Sequence, residues 1–192
     1  PLDPMTSFAS MGIYVISREL LINLINEIVS EGRYDIVKDI IIRYRRKLKI
    51  YGYEFKGYWS CINGSVMDYY NTNMDFLEKD IRDLFTKDYP YIETKPKDEP
   101  PVKYNYGADV SNTLLGSGTI INGKVEDSVL FRRVYVGEET TVKSSIIMED
   151  SYIGKNCVVE YAIIDKDVYL SDGENVIGRP DEPIILRKGI RL

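Results

Sequence analysis

The sequence predicts two unlike parts in series: helices with short strands up to residue 88, and a parallel β-solenoid from residue 104. Three observations carry this. Gly123–Glu139, Thr140–Asn156 and Cys157–Gly173 are consecutive 17-residue segments that repeat in register. Self-similarity at a fixed short period marks a solenoid. Apolar residues at helical spacing fill the first part and vanish between Val102 and Gly178. Between the two, Tyr89–Lys103 holds four of the eight prolines, which remove amide donors and disfavour helix, so residues 89–103 read as an extended linker.

In chain order, Met11–Ile16 is a short apolar run expected as a buried strand. Ser17 can cap a following helix that carries Leu20, Leu21, Leu24, Ile25 and Ile28 on one face, and Gly32 is placed to end it. Asp35–Leu48 is expected as a second helix with Ile36, Ile40 and Tyr44 inward. Ile50–Phe55 alternates weakly and is expected as a strand. Ser65–Phe85 is expected as one long amphipathic helix carrying Val66, Tyr69, Tyr70, Met74, Leu77, Ile81 and Leu84. Each solenoid coil should hold three short strands, one aliphatic per strand pointing inward, and small residues at the corners. The inward columns are Val125/Val142/Val159, Leu130/Ile147/Ile164 and Val136/Ile153/Leu170, with Ser128/Ser145/Ala162 at a corner. Tyr135/Tyr152/Tyr169 form a further column, read as structural stacking or an interface contact. Val176 extends the first column, and Val110, Leu115 and Ile121 precede Val125, Leu130 and Val136 by 15 residues.

Composition narrows function. The 192 residues carry 25 Lys and Arg against 30 Asp and Glu, a net charge of −5, which argues against general nucleic-acid binding. With no histidine, histidine-based acid–base catalysis and metal ligation are excluded. Cys61 and Cys157 are too few for a disulfide framework and fit a reducing, cytoplasmic setting. No apolar run has the length of a membrane span, and Pro1–Pro4 reads as the interior of a longer chain. Seven Lys and Arg lie between Lys38 and Lys56 with two acids among them, either a solvated face or an anion site.

Val136-Gly-Glu-Glu-Thr-Thr141 and Ile153-Gly-Lys-Asn-Cys-Val158 resemble the imperfect hexapeptides of left-handed β-helices. Such helices occur in acyltransferases and in sugar-nucleotide pyrophosphorylases. Ala9–Val15, Gly57-Tyr-Trp59, Tyr69–Asn73, Gly118–Gly123 and Asp127–Phe131 decide between them. Together they resemble the C-terminal half of glucose-1-phosphate adenylyltransferases, and most resemble the noncatalytic, GlgD-type glycogen biosynthesis subunit. The resemblance implies that residues 1–88 are the C-terminal part, an α+β remnant, of a nucleotidyltransferase-like domain. It further implies that residues 104–192 are a left-handed parallel β-helix.

The reaction the family performs joins ATP and glucose-1-phosphate into ADP-glucose and diphosphate, with Mg²⁺ held by carboxylates in the catalytic members. On the glucose-1-phosphate side the resemblance implicates Ser10, Met11, Gly12, Asp35 and Lys38. Arg132 and Arg133 become candidates for a phosphorylated effector, since guanidinium suits phosphate. Cys61 stands where catalytic members carry a metal-holding Asp, and a thiol is a poor ligand for Mg²⁺. The expectation is therefore a regulatory subunit with no catalytic residue, metal or cofactor of its own. Its expected partner is a catalytic subunit, in a homo- or hetero-oligomer that is a tetramer in the family, with no nucleic acid and no membrane. The competing readings are a catalytic adenylyltransferase with a degenerate metal site and a β-helix serving only as an oligomerisation scaffold.

Overall fold

A computed structural model describes residues 10–62, 64–88 and 97–192. The chain divides into two compact units, Pro1–Lys56 and Gly57–Leu192.

In the first unit, helix α1 spans Arg18–Ser30. Ser17 caps it, its hydroxyl accepting from the Leu20 amide at 3.4 Å. At the other end Gly32 takes φ +73°, and the Gly32 and Arg33 amides return to the Val29 and Ile28 carbonyls. The inward face buries Leu24 and Ile28 against Ile40 and Tyr44, with Ile16, Leu21, Ile25, Ile41 and Leu48 around them. The second expected helix forms as a π-helix over Ile36–Ile42, followed by turns. Its run Ile36-Val37 and Ile40–Ile42 is β-branched, and such residues crowd the preceding turn of an α-helix.

Neither expected strand of this unit forms. Met11–Ile16 and Ile50–Phe55 pair with no strand among the described residues. Ile13, Val15, Tyr51 and Tyr53 lie exposed, Val15 completely. A strand pattern becomes a strand only when a neighbour accepts its backbone hydrogen bonds.

The second unit begins with helices. The single helix expected over Ser65–Phe85 is interrupted: α2 covers Val66–Asp75, α3 covers Lys79–Asp83, and a π-turn covers Leu84–Asp88. The break is stabilised by Arg82, whose Nη1 donates to the Phe76 carbonyl at 2.9 Å and also to that of Leu77. These carbonyls lie at the break, where a helix end leaves acceptors without partners.

From Lys103 the chain winds into a parallel β-solenoid of three five-stranded sheets. The sequence columns are the observed registers. Val110, Val125, Val142, Val159 and Val176 pair rung by rung along one sheet. Leu115, Leu130, Ile147, Ile164 and Leu186 do so along another, and Ile121, Val136, Ile153 and Leu170 along the third. These columns form one core, and Val125, Val136, Val142, Ile147 and Ile153 are fully buried.

The corners repeat with the same period. Asp127, Ser144 and Tyr161 take φ of 47°, 45° and 46°, and Arg133, Asp150 and Asp167 take 56°, 63° and 58°. Buried corner hydroxyls bridge coils. The Ser145 amide donates to Ser128 Oγ and the Ala162 amide to Ser145 Oγ, both at 3.1 Å. Thr140 Oγ1 donates to the Gly154 carbonyl at 2.6 Å and accepts from the Cys157 amide at 3.1 Å. At Gly154 an added Cβ would sit 2.6 Å from Asp172 Oδ1 and 2.7 Å from the Ser171 carbonyl carbon, so the coil spacing itself demands glycine.

The three outer faces differ. One presents Lys124, Glu126, Lys143 and Glu160 to solvent. The second carries the tyrosine column, stacked at centroid distances of 4.7 and 4.8 Å with ring planes 2° and 7° apart. The third carries Val129, Ile146 and Ile163, and α2 lies on it. Tyr70 packs with Ile146 and Ile163, and Met67, Tyr69 and Met74 flank them.

Candidate functional site

The sequence-derived site residues fall into separate local structures. In the first unit, Ser10 Oγ accepts from the Gly12 amide at 3.2 Å and lies 3.3 Å from the Tyr14 hydroxyl. Gly12 takes φ +73°, so the Ser10–Gly12 stretch is a tight bend with Met11 half-buried. Asp35 caps the π-helix, its Oδ1 accepting from the Lys38 amide at 2.8 Å. That bond occupies the Asp35 carboxylate with a backbone donor, and the Lys38 side chain is exposed. Among the described residues no hydrogen bond joins the Ser10–Gly12 bend to the Asp35–Lys38 turn.

Beside this turn lies an ion-pair cluster. Glu31 accepts from Arg43 Nη1 and Nη2 at 2.6 and 2.8 Å and from Arg33 Nε at 3.1 Å. Arg43 holds the Glu31 carboxyl below the usual range. The Asp35 amide, seconded by Arg33, does the same for Asp39. The seven cations of the basic run are all exposed, with Arg43 and Lys47 over the Tyr44 ring at 5.4 and 5.6 Å.

In the second unit, Gly57–Ile62 is an extended segment held on α2. The Tyr58 hydroxyl donates to Asp75 Oδ2 at 2.8 Å, and the Ser60 and Thr72 hydroxyls meet at 2.5 Å. The Tyr58 ring stands edge-on to Phe76 and Phe85 at 6.1 and 6.0 Å. Burial, then the Asp75 carboxylate, pushes the Tyr58 hydroxyl above its ordinary pKa. The alternation turns Tyr58 and Ser60 inward and leaves Trp59 and Cys61 exposed. The described residues contain no group of three or more acidic, Cys or His side chains placed to hold a metal.

Arg133 sits at a solenoid corner, and its guanidinium is engaged on two sides. Nε and Nη2 donate to Asp150 Oδ1 and Oδ2 at 2.6 and 2.8 Å, and Nη1 to Glu99. The Arg133 fork holds the Asp150 carboxyl below its usual range. With the Gly118 amide donating to the Pro100 carbonyl at 2.6 Å, it pins residues 99–100 to the coil. Arg132 is 3.9 Å from Glu149, which also meets Lys166 at 3.3 Å. Asp150 could have been read from the repeat, since it stands one 17-residue period after Arg133. Nothing in the sequence pattern identifies Glu99. Of the linker expected over 89–103, residues 89–96 lie outside the described residues.

Where α2 meets the solenoid, Ile62, Val66, Tyr69, Met148, Ile163 and Ile185 help line an open hollow of about 380 Å³. Ser65 and Asp165 are its polar edge.

Residues 101–182 match the family model described as GlmU-like, C-terminal hexapeptide. The repeat is thus a hexapeptide repeat, and the solenoid is a left-handed β-helix. The glycogen biosynthesis protein GlgD of Bacillus subtilis (strain 168) is 39% identical over 182 residues, covering 94% of this chain and 52% of GlgD. The chain matches the C-terminal half of the glucose-1-phosphate adenylyltransferase family. Glucose-1-phosphate adenylyltransferases of Geobacillus stearothermophilus and Bacillus subtilis (strain 168) are 34% and 36% identical over 147 and 149 residues. Those matches cover 74% and 75% of this chain and 38% of each adenylyltransferase. The chain thus spans about half the length of GlgD and less of the adenylyltransferases. No helix among the described residues is long and apolar enough to cross a membrane.

Proposed function

We propose that the chain belongs to a regulatory, noncatalytic subunit of glucose-1-phosphate adenylyltransferase, working in the cytoplasm in glycogen biosynthesis. The observation that carries this reading is the extent of the GlgD match, 94% of the chain against 74% and 75% for the two adenylyltransferases. Cys61 supports it: the resemblance sets this exposed thiol at the position of the catalytic members' Mg²⁺-holding aspartate, and a thiol is too soft a donor for that ion. Residues 1–88 are then the C-terminal part of a nucleotidyltransferase-like domain, 89–103 the linker and 104–192 the β-helix. Ser10, Met11, Gly12, Asp35 and Lys38 take the glucose-1-phosphate side, Arg132 and Arg133 meet an effector, and the partner is a catalytic subunit in a tetramer.

The test is ADP-glucose formation by the protein alone and mixed with a catalytic subunit. The expected result is no product alone and altered kinetics in the mixture. Product above a no-protein control would establish the second reading, a catalytic adenylyltransferase, which the 34–36% identity to such enzymes favours.

A further inference from the structure

Helix α2 has two working faces. Met67, Tyr70 and Met74 are three and four residues apart, so they share one side, and that side packs on the solenoid. There the Tyr70 ring is 7% exposed, and its hydroxyl donates to the Ser144 carbonyl at 2.6 Å. Ser144 is a corner residue with φ +45°, fixed by its own amide bond to the Glu126 carbonyl of the preceding coil. Thr72 and Asp75, also three apart, face elsewhere and hold Ser60 and Tyr58. One ten-residue helix therefore grips a rigid solenoid corner with one side and the Gly57–Ile62 segment with the other.

We propose that α2 transmits the position of the β-helix to this segment, making Tyr70 a positioning residue for the outward-facing Trp59 and Cys61. The sequence of contacts is continuous: Ser144 carbonyl, Tyr70, the body of α2, Asp75 and Thr72, then Tyr58 and Ser60. The segment is extended and pairs with no strand among the described residues, and these side-chain bonds tie it to α2. A displacement of the β-helix corner, by an effector or a neighbouring subunit, would move the exposed pair with it. That regulatory use rests on the function proposed above, whereas the mechanical tie does not.

The chain supplies its own reporters. Trp59 is its one tryptophan, and of its two cysteines Cys61 is exposed while Cys157 is buried. A nitroxide on Cys61 and the anisotropy of Trp59 both read the segment in the whole chain. Tyr70→Phe removes only the bond to Ser144, nine residues from Cys61 and eleven from Trp59. The expected result is a lower Trp59 anisotropy and a mobile nitroxide population about fivefold larger, the size of one net hydrogen bond. Asp75→Ala, which removes the acceptor at the near end of the tie, should give at least the same change. Ile163→Val, which thins the packing under Tyr70, reads the same connection if Tyr70→Phe does not fold. If Asp75→Ala frees the reporters while Tyr70→Phe and Ile163→Val leave them unchanged, the segment is held by α2 alone and the proposal is overturned. It is equally overturned if no variant moves them. These readouts do not involve ADP-glucose, so failure of the functional reading leaves them standing.

Discussion

Val15 and Val142 each sit within a short β-branched run, yet one is completely exposed and the other completely buried. Val142 belongs to a segment whose neighbours 17 residues away are copies of itself. When one coil forms, the next finds its donors, acceptors and apolar partners already spaced. Val15 belongs to a run with no counterpart among the described residues, so its alternation has nothing to bind. Strand propensity is context, and in the solenoid the context is written into the chain as repetition.

The sharpest way to break this comparison is to put the same charge at both positions. Val142→Asp buries a carboxylate between Val125 and Val159 and should cost about 3 kcal/mol or more; urea unfolding followed by the β-sheet circular dichroism measures it. Unchanged stability would mean the register is wrong. Gly154→Ala should cost about 2 kcal/mol by the same measurement, because its methyl must displace the backbone of the next coil. Alkaline titration is expected to act more gently. Burial lifts the Tyr70 hydroxyl to about 12 from an ordinary value of 10.0. Its neutral form is the one the fold prefers, so this stabilisation is whole below pH 10 and is lost as pH rises towards 12. Trp59 fluorescence should therefore report loosening of α2 in that window, and a flat response to pH 12 would contradict the docking of Tyr70. The smallest effect is expected at the other end of the comparison: Val15→Asp should change stability by less than about 0.5 kcal/mol. A large loss there would show that Val15 is covered in solution.

The solenoid was legible almost residue by residue because each column is tested several times. Val125, Val142 and Val159 confirm one another, and a slipped register would misplace all three. Even Val110, Leu115 and Ile121, offset by 15 residues, fell into register, since only the turn at Asn122-Gly123 is shorter. The first helix was legible through Ser17 and Gly32, local signals that need no distant partner. The long helix over Ser65–Phe85 was misread because its break depends on Arg82 reaching back to Phe76 and Leu77, which periodicity cannot show. The candidate site was legible only as far as resemblance reached. Cys61 was singled out by the resemblance alone, and the bonds that hold its segment, Tyr58 to Asp75 and Ser60 to Thr72, join residues 17 and 12 apart without any repeating pattern. Arg133 was read as a candidate for a phosphorylated effector, and the structure pairs its fork with Asp150 and Glu99, partners that such an effector would have to displace.

The charged face of the solenoid has a consequence of its own. Successive rungs there carry Asp109, Lys124, Thr141, Val158 and Asn175 at one position, five chemically unrelated side chains on one unbroken backbone ladder. The inward position beside each is always valine. The fold thus separates its alphabet into letters it must keep and letters it leaves blank. On that face mutation can redraw a recognition surface in single steps, while the interior that holds the coils together is never put at stake.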